Sequence, residues 1–98
     1  MRFPLILVLS ALLTSCASII VGDARAYGRV QDVSVADIQA AIDADRAKHS
    51  DKIYEIEVVN ANEIRLYLQP RVDSTGVYDI IKRVNGKWRF VFREVIVG

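Results

Sequence analysis

Three hydrophobic rhythms run along this chain, and each predicts a different kind of element. Residues 5–13 are almost continuously apolar. Between residues 34 and 48 the spacing turns helical. Val35, Ile38, Ala41 and Ile42 share one stripe, while Asp37, Asp43, Arg46 and Lys48 lie largely off it. Ser34, with Asp37 three residues on, has the form of a capping box, so a helix is predicted to start there and to end near His49-Ser50-Asp51. The small Ala40, Ala41, Ala44 and Ala47 let such a helix approach a sheet closely. From residue 53 onward the period becomes two, and four strands are predicted.

The first strand, residues 53–59, sets Tyr54, Ile56 and Val58 against Glu55 and Glu57. The second, residues 64–68, sets Ile64, Leu66 and Leu68 against Arg65 and Tyr67. A three-residue loop, Asn60-Ala61-Asn62 with Asn62 left-handed, pairs Val59 with Glu63, Val58 with Ile64 and Ile56 with Leu66. A four-residue loop would set Glu57 against Leu66, so the shorter loop is expected. Residues 70–76 form a turn-rich connection. Strands 77–84 and 87–97 then flank Asn85-Gly86, the signature of a type I′ hairpin turn. An unbroken two-residue hairpin places Ile81 opposite Phe90 and Asp79 opposite Phe92 on the face that packs under the helix. On the other face it places Lys82 opposite Arg89, Ile80 opposite Val91 and Tyr78 opposite Arg93.

The expected fold class is therefore α+β: one N-terminal helix packed on a four-stranded antiparallel meander, a two-layer sandwich. This order of elements resembles a cystatin-like or nuclear-transport-factor-like core. The resemblance is one of pattern, and no function is carried over from it.

The N-terminus has an independent reading. Arg2, the apolar stretch and the small Thr14 and Ser15 give a secretory signal layout. The stretch is much shorter than the ~20 residues of a transmembrane helix. Leu13-Thr14-Ser15-Cys16 resembles the lipobox of bacterial lipoproteins, and Cys16 is the only cysteine, so no disulfide can form within the chain. The resemblance implies cleavage before Cys16 and acylation of its thiol, with the amine often acylated as well. Two or more acyl chains anchor a protein stably. Ala17 after the cysteine implies, by the same resemblance, the periplasmic face of the outer membrane in a Gram-negative host. The expected organisation is a signal peptide at 1–15, a lipidated tether at 16–33 and a small domain at 34–98.

Composition changes the picture little. The chain carries 13 basic and 12 acidic residues. Without Arg2 the rest is formally neutral, but residues 23–63 hold nine acids and five bases, while residues 64–98 hold three acids and seven bases. The two halves can pair in the fold, or leave a basic face for a partner. The bases form no run, and nucleic acid is not an expected partner in the envelope.

Candidate chemistry is sparse. A zinc site needs three or four converging ligands. With one histidine and an acylated cysteine the sequence offers no metal set, and no cofactor is expected. His49 lies four residues after Asp45, and the two can meet on the helix surface near its C-terminus. Glu55 and Glu57 are expected to face solvent or to pair with Arg65. Asp79 falls on the core side, with Arg83 as its expected ion-pair partner. No nucleophile elbow, phosphate loop or calcium loop occurs, so a non-enzymatic role is expected. The leading function is a lipid-anchored envelope protein that binds a protein or envelope component through Tyr78, Lys82, Arg89 and Arg93. The alternative is a carrier or sensor with an apolar pocket lined by Ile38, Ile42, Trp88 and Phe90. A hydrolase using Asp45 and His49 ranks last.

Overall fold

The computed structural model describes residues 18–70 and 76–97. The signal layout and Cys16 lie outside the described residues, as does most of the 70–76 connection. Six strands form one mixed sheet in sequence order: β1 (Ile19–Val21), β2 (Ala24–Gly28), β3 (Glu55–Asn60), β4 (Glu63–Tyr67), β5 (Gly76–Val84) and β6 (Lys87–Ile96). The helix, α1 (Val35–Arg46), lies between β2 and β3 in the chain.

This overturns the expected four-stranded antiparallel meander with an N-terminal helix. The stretch read as a tether contains β1 and β2, which pair as a hairpin, and β2 then runs parallel to β3. Parallel neighbours need a long crossover. Here it comprises residues 29–54, carrying a 3-10 turn (Val30–Asp32) and α1. The alternation in Ala24-Arg25-Ala26-Tyr27-Gly28 is genuine, but its core-facing members are alanines, fully or almost fully buried. Such small side chains give a weak hydrophobic signal. Gly28 explains why the strand ends where it does. Its φ is +86°, and a Cβ there would meet the Val58 carbonyl oxygen at 2.6 Å. The next amide, Arg29 N–H, donates to that same oxygen at 2.9 Å.

α1 begins as its capping box predicts. The Asp37 amide donates to Ser34 Oγ, and the Ser34 amide donates to Asp37 Oδ2, both at 3.0 Å. The helix closes at Arg46, earlier than expected, although the His49 amide still bonds back to the Asp45 carbonyl at 2.8 Å. Ile38, Ala41 and Ile42 pack into a core with Ile56, Val58, Ile64, Leu66 and Ile81. Val35, expected on the stripe, is exposed. Asp45 takes the stripe's next position and is fully buried. No helix of the described residues is long and apolar enough to cross a membrane.

Two one-residue irregularities correct the expected registers. Between β3 and β4, Ile56 faces Leu66 and Val58 faces Ile64 as expected, but Asn60 rather than Val59 pairs with Glu63. The Asn62 amide donates to Asn60 Oδ1 at 2.8 Å, and this side-chain turn closes the loop without a left-handed Asn62. Between β5 and β6 the Asn85-Gly86 turn has positive φ at both residues, 53° and 78°, as the type I′ reading requires. The ladder then runs regularly to Ile81 opposite Phe90. There the register shifts, so that Ile80 faces Phe92 and Asp79 faces Arg93, with Val91 as the extra residue of a β-bulge. Beyond the bulge every β6 side chain points opposite to the expectation.

Candidate functional site

The bulge separates two groups of side chains, one on each face of the sheet. On the face away from α1, Tyr67, Tyr78 and Ile80 form a small buried cluster, and the two tyrosine rings lie 5.0 Å apart. Lys82 and Arg89 sit opposite each other on this face, and Phe92 joins it beside Ile80. Three carboxylates here pair with arginines, while Glu94, opposite Tyr78, enters no ion pair among the described residues. Arg65 reaches Glu63 at 3.4 Å and Glu57 at 4.0 Å, and Arg25 reaches Glu55 at 3.6 Å. Among the described residues, the ion pairs of this face use Arg25 and Arg65, and neither Lys82 nor Arg89 enters one. Phe92 and Val91 are each 44% exposed. β6 is also the outer strand of the sheet, so among the described residues its outward-pointing backbone groups have no strand partner.

Three of the four residues expected on a contact face, Tyr78, Lys82 and Arg89, therefore share it, with Tyr78 largely buried. Arg93 does not. It lies on the helix side, where its Nε donates to Asp79 Oδ1 at 2.7 Å and its Nη2 to Asp79 Oδ2 at 3.1 Å and Asp51 Oδ2 at 2.9 Å. Arg83, expected to pair with Asp79, instead reaches Asp37 at 3.2 Å and the Ala61 carbonyl at 2.7 Å, and its guanidinium stacks over Trp88.

Below the end of α1, the helix side holds a cluster that single-residue reading had not joined. Asp45, His49 and Asp79 each bring a ligating atom within 4.8 Å of the others. Both aspartates are fully buried. Burial, then the neighbouring Asp79, push the Asp45 carboxyl up to about 8. Burial also acts to raise Asp79, but hydrogen bonds from Arg93 and Asp45 outweigh it and hold Asp79 below the usual carboxylate range. In neutral solution the pair thus holds a proton on Asp45. The His49 ring stands edge-on to Phe90 with centroids 4.9 Å apart. The hydrolase candidates Asp45 and His49 do come together, inside the fold rather than on the helix surface.

Ile38 and Ile42, named as pocket lining, belong to the packed core, and Trp88 and Phe90 pack against it. The Trp88 indole N–H donates to Asp37 Oδ1 at 3.3 Å, closing that end of the helix-sheet interface. A groove of about 480 Å³ lies at the other end, bounded by Val21, Asp23, Gln39, Ile42, Arg46 and Ile53. Comparison with family models, curated proteins and solved structures finds no match.

Proposed function

We propose that this protein is a non-enzymatic, lipid-anchored binding module of the bacterial envelope. In this reading Cys16 carries the acyl anchor, and the sheet face along β5 and β6 docks an acidic, extended segment of another envelope protein. One observation carries the choice of face. Val91 and Phe92 are exposed on β6 beside Arg89 and its partner Lys82, cations of that face that enter none of its ion pairs among the described residues, and β6 is the outer strand of the sheet. A strand added to that edge gains backbone hydrogen bonds from β6, apolar contact at Phe92 and charge complementarity at Lys82 and Arg89.

The test is capture from detergent-solubilised envelope with the intact lipoprotein and with the Lys82→Glu, Arg89→Glu double variant. The account expects a partner that the first retains and the second loses, with retention weakening as salt rises. Equal retention by both, or by neither, contradicts the placement.

A further inference from the structure

We infer that Asp45, His49 and Asp79 form a binding site for a single divalent cation, with zinc the best fit. Four features of the cluster argue for this. First, Asp45 is fully buried, and among the described residues no N–H or O–H donor bonds to either of its carboxylate oxygens. A buried carboxyl with no donor to it favours its protonated form, and a cation would take the proton's place. Second, the spacing is that of a helical ligand pair. Asp45 and His49 are four residues apart, and the His49 amide bonds to the Asp45 carbonyl, which keeps the turn helical and both side chains on one side. Asp79 faces them from β5.

Third, the ligand atoms converge on one point. Zinc–oxygen and zinc–nitrogen bonds of about 2.0–2.1 Å place tetrahedral ligand atoms about 3.4 Å apart. The three groups already bring ligand atoms within 4.8 Å of one another, so closing on a cation needs each to move inward by about an ångström. Fourth, the surroundings complete the site. Once a cation displaces the Asp45 proton, Asp45, Asp79 and the rim residue Asp51 oppose Arg93, an excess of two negative charges that one dication cancels. Arg93 fixes Asp79 from outside, and Phe90 fixes the His49 ring, as outer groups do in metal sites.

The donor set selects the metal. An imidazole nitrogen with two carboxylate oxygens suits zinc, whereas magnesium and calcium favour oxygen alone. Half-buried His49 and exposed Asp51 mark the route of entry and leave a fourth coordination position on the solvent side. Bound there, the cation ties the end of α1 to β5 and, through Arg93, to the docking strand β6. The inference stands independently of the docking proposal.

The experiment is calorimetric titration of the full chain in detergent with Zn²⁺, after stripping with EDTA, its Cys16 thiol acylated or blocked with iodoacetamide. The site predicts one equivalent bound at micromolar Kd or tighter. It also predicts at least tenfold weaker binding in both His49→Ala and Asp45→Asn, and no change in Asp43→Asn, whose carboxylate is exposed. At roughly a hundredfold excess of zinc over Kd, the melting temperature should rise by about 10 °C, reversibly with EDTA. Absence of saturable binding, or equal binding by His49→Ala, overturns the inference and leaves the two aspartates sharing a proton only. Should Asp45→Asn fail to fold, His49→Ala decides, because that side chain is partly exposed.

Discussion

Asp79 is the residue on which β6 depends. Fully buried and ionised, it needs a cation, and Arg93 supplies one through two hydrogen bonds. Replacing Arg93 with methionine strands that charge. The expected loss is about 3 kcal/mol in urea unfolding, at the low end for a broken buried pair because the arginine is partly exposed. Asp79→Asn added to Arg93→Met should restore part of it. At the other end of α1, the backbone hydrogen bond from Ser34 is the chief cause that holds Asp37 below its usual value of 3.8. Burial opposes it, and the Trp88 N–H and the Arg83 charge assist it. The folded state therefore binds this proton less readily than the unfolded chain, so the contribution is complete above about pH 4 and fades as pH falls through the lowered value. Asp37→Asn should flatten the acid limb of the stability curve, and Ser34→Ala should cost about 1 kcal/mol at neutral pH. The Ser34–Asp37 box could be read from sequence because capping is local. The burial of Asp45 was also readable, since position 45 continues the stripe of 38, 41 and 42. Its polar identity masked that position.

At the scale of elements, the bulge at Val91 decides which side chains meet. Deleting Val91 removes the extra residue yet keeps Phe92 opposite Ile80 and Arg93 opposite Asp79, whereas inserting an alanine between Phe92 and Arg93 moves Arg93 to the outer face. The insertion should therefore destabilise the protein far more than the deletion, by several-fold in ΔΔG measured by denaturant unfolding, because it alone leaves Asp79 without its partner. Nothing local announces such a bulge. The alternation Trp88, Phe90, Phe92 is a sound strand pattern, and the shift is favoured by a long-range pairing between Asp79 and Arg93. β2 escaped notice for a different reason, its alanines giving little hydrophobic contrast. Gly28→Ala tests that strand. With a positive φ and a carbonyl oxygen in the way, it should cost about 2 kcal/mol or more.

For the whole molecule, the four strands after the helix, their antiparallel order and the Asn-Gly hairpin were all legible, because each is written in local periodicity and turn chemistry. The fold class was not. It turns on a parallel pairing between residues 25–28 and 55–58, across a crossover whose closure no local pattern encodes. Among the described residues the sheet has its helix on one face and β6 as a long outer strand, and the proposed docking role follows from that asymmetry. The most direct measurement is site-specific photocross-linking in intact cells. The cross-linker is placed at Phe92 and, as the comparison, at Ala40 on the exposed side of α1. The account predicts one discrete adduct from Phe92, abolished by Lys82→Glu with Arg89→Glu, and none from Ala40. No adduct at Phe92, or the same adduct from both positions, would contradict it.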